Sequence, residues 1–231
     1  MNSYLRLHPE MRARVNGPKS GKEPAIVGLR HPVLQGFEET DIIPFGGTLL
    51  PLSVDQGATV PLTFVPEFPA FPPETAWMRV ADSGIPGLVV SQASTGARVA
   101  YLAADLDRRY QRELLPDHAN LLANLVRWGA KDSIPLSVYG AGLIDCHLYG
   151  QPGRMILHLV NLTSAGTWRS PMDELIPIIG PLQVRIKLAA GVAGRTAKRL
   201  VAPGAASVTV RQGWAELEVK SILDHEVIVI A

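Results

Sequence analysis

The sequence predicts an α/β domain followed by a small antiparallel β-sandwich. A strand hairpin and one amphipathic helix lie in the first half, where they indicate an α/β layer. About seven short apolar runs with close turns fill residues 135–231, a pattern typical of a sandwich. The 19 prolines and 21 glycines favour short elements throughout. The change in texture near 131–134 predicts two domains, residues 1–131 and 132–231.

The first domain opens with short elements separated by turn residues. Because proline blocks helix formation, the proline-rich stretch from 66 to 74 is expected to be an extended surface loop. The predicted elements are a strand end at YLRL (4–7), a loop at NGPKSGKEP (16–24), a turn at GFEETD (36–41), a strand near Ile42 and Ile43, and a strand at PLTFV (61–65).

A hairpin and a helix complete this domain. GLVVSQA (87–93) and RVAYLAA (98–104) are joined by four turn-forming residues and predict the hairpin. LPDHANLLANLVRWGAK (115–131) places its apolar residues at helical spacing. Pro116 and Asp117 suit the first turn of that helix, since proline needs no amide donor there and a carboxylate favours the positive end of the dipole.

The second domain alternates apolar and polar residues. PLQVRIKL (181–188) places every second apolar side chain on one face, which predicts a half-buried strand. VTVRQGWAELEV (208–219) predicts a hairpin that turns at residues 211–213, and HEVIVIA (225–231) predicts a final strand. The stretch 135–163 is rich in β-forming residues and turns near Gln151–Arg154.

Composition excludes several classes of function. A net charge of +1 favours neither nucleic acid nor an acidic membrane surface, and no apolar run approaches the roughly 20 residues of a membrane span. The single cysteine, Cys146, excludes an internal disulfide and a multi-cysteine zinc site, and we expect it to be a small buried residue. The missing signal-peptide pattern and the missing cysteine pairs favour the cytoplasm.

The first domain has few helices for an α/β fold. A doubly wound sheet needs helices on both faces, yet one strong helix is found in 131 residues. Either the domain is α+β, or it is the last part of a longer α/β domain.

Four segments favour the second alternative through a resemblance. HPVLQGFEETDIIPFGG (31–47), RVAYLAADLDRRY (98–110), LPDHANLLANLVRW (115–128) and GLIDCHLYGQPGRMILHLVNLT (142–163) resemble the C-terminal region of bacterial glycoside hydrolases. Those proteins carry a domain similar to the β-galactosidase trimerisation domain, with a class I glutamine-amidotransferase-like (flavodoxin-like) fold, followed by a β-sandwich. The resemblance covers most of residues 25–231.

The resemblance places catalysis outside these residues. In the family a catalytic (β/α) barrel comes first and would hold the acid and the nucleophile, so no catalytic residue is carried over to this chain. Amidotransferase chemistry would need a cysteine on a strand–helix elbow beside a histidine. Cys146 and His147 are instead neighbours on a predicted strand, where their side chains point to opposite faces. No cofactor and no metal is predicted.

One polar cluster is the strongest candidate site. Asp105, Asp107, Arg108, Arg109 and Tyr110 follow the second strand of the hairpin, and open α/β sheets bind ligands at strand ends. The functional interpretation is a ligand site or a subunit contact, where arginine and tyrosine are favoured. The structural interpretation, which we prefer, is an Asp/Arg network that fixes the loop into the helix.

Other candidates are weaker. His118 follows Asp117 and suggests acid–base chemistry, but helix capping explains the pair better. His147 and His158 lie on neighbouring predicted strands without an evident third metal ligand. Four aromatic residues in and beside the proline-rich segment suggest either a sugar-stacking platform or, as we prefer, a loop folded over the core: Phe64, Phe68, Phe71 and Trp77.

Three functions follow from these observations. The first is a non-catalytic assembly region of a glycoside hydrolase, which forms a homo-oligomer or joins a catalytic barrel chain. The second is a small hydrolase that uses Asp105, Asp107 and His118. The third is a carbohydrate-binding module. If strands are missing from the first sheet, an unpaired edge and an apolar patch should be exposed or covered by a second subunit.

Overall fold

The computed structural model describes residues 3–11, 30–164, 176–202 and 204–231. The chain divides into two compact units, Met1–Ser133 and Ile134–Ala231. The described part is β-rich, with 14 strands and two α-helices. Neither helix of the described residues is long and apolar enough to cross a bilayer. The loop predicted at 16–24 lies outside the described residues.

The N-terminal unit is a five-stranded sheet with two helices. Its strands follow the spatial order β2-β1-β3-β4-β5. Its elements are β1 (Tyr4–Leu7), β2 (Ile42–Pro44), β3 (Thr59–Val65), β4 (Pro86–Gln92), β5 (Arg98–Leu102), α1 (Leu106–Glu113) and α2 (Pro116–Gly129). The core lies between the sheet and α2, where Leu5, Leu62, Leu88 and Leu121 are fully buried.

The strand pairing differs from the expected flavodoxin-like fold. Every pair of strands in this sheet is antiparallel, whereas a flavodoxin-like sheet is parallel. The cause is visible in the connections, because parallel neighbours need a long crossover that is usually helical. Here five residues join β4 to β5, and a proline-rich segment with only a short 3₁₀ turn joins β3 to β4. The described sheet therefore holds antiparallel pairs only, and the amidotransferase-like assignment is not confirmed.

The predicted hairpin and helix are confirmed, and one helix was not predicted. β4 and β5 pair in register from Leu88–Leu102 to Gln92–Arg98, and α2 lies within the predicted helical segment. The additional helix, α1, contains most of the polar cluster. Only Leu106 of its eight residues is buried, so α1 lacks the apolar stripe that would reveal it in the sequence.

The C-terminal unit has two antiparallel sheets, as the sequence predicts. Their orders are β11-β10-β14-β8-β7 and β12-β13-β9-β6. The strands are β6 (Leu136–Tyr139), β7 (Ile144–Gln151), β8 (Arg154–Asn161), β9 (Ile178–Lys187), β10 (Ala197–Arg199), β11 (Gly204–Ala206), β12 (Val208–Arg211), β13 (Trp214–Ile222) and β14 (His225–Ile230). One buried cluster holds inward side chains of both sheets, among them Leu157, Ile228, Val184 and Leu217.

Asn161 joins the end of β8 to two other segments of this unit. Its Nδ2 donates to the carbonyls of Ile176 (2.8 Å) and Leu223 (2.7 Å), and its Oδ1 accepts from the amide of Thr163 (2.9 Å). Because the Asn161 side chain is buried, these hydrogen bonds replace those that it would otherwise make to water.

Glu226 is a buried carboxylate with several donors. It accepts hydrogen bonds from Arg199 Nε (2.9 Å) and from the amides of Val201 (3.1 Å), Ala202 (3.3 Å) and Val227 (3.0 Å). Burial raises the pKa of this carboxyl group, but the hydrogen bonds outweigh burial and the net effect lowers its pKa. Glu226 therefore stays ionised and holds the loop after β10 against β14.

Candidate functional site

The predicted polar cluster lies where β5 runs into α1. Asp105 precedes the first residue of α1, and its Oδ1 accepts a hydrogen bond from the amide of Thr48 (3.0 Å). Its Oδ2 lies 3.1 Å from Nε of Arg108, three residues further along the helix. Asp107 is exposed in the first turn of α1. Within the described residues, Asp105 is the one of these three that bonds to another segment of the chain.

Arg109 makes a second connection to the same segment. Its Nε donates to the carbonyl of Phe45 (3.2 Å), and its Nη2 pairs with Glu113 (3.2 Å) on the next turn. Tyr110 is half-buried, and its carbonyl accepts the amide of Leu114 that ends α1. Nε and Nη2 of Arg109 therefore both have partners within the N-terminal unit.

His118 makes a third connection, from α2. The side chain is fully buried, and its Nε2 lies 2.7 Å from the carbonyl of Pro44. With the proton on Nε2, the ring donates to that carbonyl. The position serves packing and a backbone contact, and it offers no route for a substrate to the ring.

These three side chains hold one stretch of backbone, residues 44–48. Asp105, Arg109 and His118 bind its amide or carbonyl groups from three positions on the following helical segment. Gly47 permits the close approach, because a Cβ there would overlap Asp105 Oδ1 and lie 2.5 Å from Cζ of Phe45. The cluster thus acts as a clasp on residues 44–48, which we call the 44–48 clasp.

A cavity of about 660 Å³ borders the clasp. Thr48, Leu49, Phe64, Glu67 and Ser83 contribute to its walls. Ser83 is engaged, since its Oγ donates to the carbonyl of Phe64 and accepts from the amide of Ile85 (3.1 Å). Glu67 is exposed. No sequence pattern marks Glu67 or Ser83, because both lie in irregular segments.

The chemistry available in this cavity is limited. Among the lining residues that the structure describes, Glu67 is the sole acid, and none is a histidine, lysine, arginine or cysteine. Retaining glycoside hydrolysis requires two carboxylates about 5–5.5 Å apart. The cavity is mostly apolar, so its walls suit the binding of a molecule through apolar contacts better than general acid–base catalysis.

The aromatic residues of the proline-rich segment separate into two pairs. Phe64 packs edge-on against Phe45 (centroids 6.3 Å apart), and Phe68 stacks on Tyr4 (5.6 Å). The contact of Phe68 agrees with a loop folded over the sheet, whereas Phe64 lies on β3 itself. Phe71 is 80% exposed and Trp77 is 55% exposed.

The sandwich histidines form a ring cluster rather than a metal centre. His147 and His158 are cross-strand partners on β7 and β8, and the Tyr149 ring lies 6.5 Å from the former and 5.5 Å from the latter. His147 Nε2 also lies 3.0 Å from Asp145 Oδ2. In the described parts of the chain, no three acidic, histidine or cysteine side chains group as metal ligands do.

Cys146 is half-buried on the opposite face of β7 from His147. Burial, reinforced by the charge of Asp145, raises the pKa of its thiol. The thiol therefore stays protonated near neutral pH and is a poor nucleophile.

Comparison with known proteins gives a structural likeness but no sequence family. No family model and no curated protein matches the sequence. The fold is similar to α-L-fucosidase isoenzyme 2 from Paenibacillus thiaminolyticus, with a TM-score of 0.58 and 16% identity over 99% of this chain and 31% of the fucosidase. The chain thus spans about a third of the length of that enzyme.

Two other glycoside-active enzymes align less well. A GH42 β-galactosidase from G. stearothermophilus aligns over 75% of this chain and 18% of its own, with 12% identity and a TM-score of 0.37. A cycloisomaltooligosaccharide glucanotransferase from Paenibacillus sp. aligns over 48% and 20%, with 8% identity and a TM-score of 0.32.

Proposed function

We propose that this chain is a non-catalytic accessory region of a glycoside hydrolase in carbohydrate metabolism, and that it supports assembly and shapes the mouth of an active site. The observation that carries the proposal is the 44–48 clasp. Asp105, Arg109 and His118 bind backbone groups of their own unit, so they stabilise the wall of a cavity. The likeness in fold to an α-L-fucosidase over nearly the whole chain supports the carbohydrate context.

The proposed partner is a catalytic barrel or a second copy of this chain. β5 pairs only with β4 among the described strands, so it lies at an edge of its sheet. Val99 and Tyr101 on β5 are about half exposed. An unpaired edge beside apolar side chains is a feature that proteins usually cover, and a subunit contact would cover it here.

The finer assignment to an amidotransferase-like, trimerisation-like domain is also a proposal. It is supported by the direct succession of β5, α1 and α2 in the segments that carry the resemblance. Its test is the intact mass of the native protein, captured from its source cells with an antibody to the sandwich. A mass several tens of kilodaltons above 24.9 kDa supports a longer parent, and a mass of 24.9 kDa contradicts it.

The accessory role predicts no glycosidase activity for the chain alone. The purified 231-residue chain is assayed on 4-nitrophenyl α-L-fucoside and 4-nitrophenyl β-D-galactoside, and we expect no turnover above the buffer rate. Turnover that is lost in Glu67→Gln or Asp105→Asn, with the fold intact by circular dichroism, would overturn the proposal. Light scattering of the same sample tests assembly, and an oligomer is the expected state.

A carbohydrate-binding module is the second candidate, favoured by the exposed rings of Phe71 and Trp77. Aromatic faces bind the apolar faces of sugar rings by burying apolar area. One face of Trp77 is already covered by Arg79, whose Cζ lies 3.7 Å from the ring centroid. Binding to immobilised polysaccharide that is lost in Trp77→Ala and kept in Tyr101→Ala would favour this candidate over the accessory role.

A further inference from the structure

A second, smaller cavity lies in the N-terminal unit, away from the 44–48 clasp. Its volume is about 230 Å³, below the roughly 300–1,000 Å³ of pockets for drug-sized ligands. Gln35, Arg98, Asn124, Arg127 and Asp132 contribute to its walls, so it is mainly polar. A cavity of this size and polarity can enclose a small anionic group, such as a phosphate or a single carboxylate, but not a whole sugar ring.

Arg98 supplies a buried donor without an acceptor. Its Nη1 donates to the carbonyl of Trp128 (2.9 Å), and its guanidinium lies 5.4 Å from the Trp128 ring centroid. Its Nε is buried and has no hydrogen-bond partner in the described residues. An unpaired buried N–H is unfavourable, and such groups are usually matched by a water or an ion.

Arg127 adds a second uncompensated charge. It is exposed on the last turn of α2, and no described carboxylate lies within ion-pair distance of either guanidinium. Burial and, to a smaller extent, the positive charge of Arg98 lower the pKa of the neighbouring His31. Two arginines therefore border one cavity, and the described acid on its wall, Asp132, forms an ion pair with neither of them.

Hydrogen bonds of Asn124 hold one part of the cavity wall in place. Its Nδ2 donates to the carbonyls of Val33 (3.2 Å) and Gln35 (2.7 Å), which ties α2 to the 3₁₀ turn at Pro32–Leu34. The part of the wall that Asn124 and Gln35 form is thus held by hydrogen bonds between side chain and backbone. A preformed wall lowers the entropic cost of binding a small ligand.

We propose that this cavity binds a small oxyanion, with Arg98 and Arg127 as its ligands. Guanidinium groups present several N–H donors in a planar arrangement that matches carboxylate and phosphate oxygens. Asp132, which also borders the cavity, opposes the anion by repulsion and sets its affinity. The oxyanion belongs either to free phosphate or to the carboxylate of an acidic sugar.

The test is isothermal titration calorimetry of the full chain with sodium phosphate and, separately, with glucuronate. We expect one saturable site that weakens as sodium chloride is added. Arg127→Gln should weaken binding about tenfold through loss of a charged hydrogen bond. The matched control is Arg195→Gln, an exposed arginine of the sandwich, which should leave binding unchanged.

Asp132→Asn provides a variant with the opposite sign. Asp132 has a φ of 56°, a conformation that asparagine tolerates, so the fold should persist. Removing its charge should tighten binding roughly threefold. Saturation by phosphate alone assigns a free oxyanion, and saturation by glucuronate assigns a carboxylate. No saturable binding of either, or equal losses in Arg127→Gln and Arg195→Gln, would overturn the proposal.

Discussion

Gly47→Ala tests the 44–48 clasp most directly. The φ of Gly47 lies outside the left-handed region that favours glycine, so the effect of the added methyl group comes mainly from the space it needs. That methyl group would overlap Asp105 Oδ1 and lie 2.5 Å from a ring carbon of Phe45. Phe45 is buried, so its ring cannot turn away into solvent, and Asp105 can move only by releasing the Thr48 amide.

The expected cost follows from these two contacts. Forcing extra volume against a buried ring costs about 1–3 kcal/mol. Losing the hydrogen bond between Thr48 and Asp105 costs about 1 kcal/mol more. The free energy of unfolding of the N-terminal unit should therefore fall by about 2–4 kcal/mol.

Hydrogen–deuterium exchange of peptides from the full chain measures this change unit by unit. Peptides from α2 and from residues 44–48 should exchange faster in Gly47→Ala, while peptides from the sandwich serve as an internal reference. Gly129→Ala is the matched control, since a Cβ at Gly129 meets nothing within 4 Å and alanine favours a helix. A change below about 0.5 kcal/mol in Gly47→Ala, similar to a surface substitution, would refute the clasp.

Three further substitutions test other buried polar groups. The lowered pKa of Glu226 stabilises the fold fully above pH 4.5, and this stabilisation is lost as the pH falls through the lower folded-state pKa. In Glu226→Gln the free energy of unfolding should therefore fall less steeply with acidification, as urea unfolding between pH 3 and 7 would show against the exposed Glu218→Gln. Asn161→Ala should lower the free energy of unfolding of the sandwich by about 2–4 kcal/mol, since it removes three hydrogen bonds of a buried side chain at about 1 kcal/mol each, and an unchanged urea midpoint would contradict this. His118→Leu should destabilise the N-terminal unit by about 1–3 kcal/mol through the carbonyl it leaves unpaired, as a lower melting temperature would report.

The sandwich was predictable because its signal is local. In PLQVRIKL the apolar residues alternate with polar ones, and the structure buries Leu182, Val184 and Ile186 on β9 as that alternation requires. The turn between β12 and β13 was also visible, since Gln212 and Gly213 both adopt positive φ at a two-residue hairpin turn. Such features depend on neighbours in sequence.

The site was less predictable because its partners are distant in sequence. Thr48 and Asp105 are 57 residues apart, Phe45 and Arg109 are 64 apart, and Pro44 and His118 are 74 apart. The acceptors are mostly backbone carbonyls, which every residue carries and no motif marks. The polar cluster can be recognised in the sequence as a group of residues, but the strip of backbone that it binds is visible only in the fold.

The position of β14 in its sheet has a consequence for biosynthesis. This strand, His225–Ile230, lies between β10 and β8. During translation the β7–β8 hairpin can form early. The strand that pairs with the free edge of β8 begins some 64 residues after Asn161, and synthesis proceeds at about 5–20 residues per second. For those seconds the apolar face of Leu157 and Leu159 lacks its neighbour. The nascent sandwich therefore passes through a stage in which holding chaperones would protect it from aggregation.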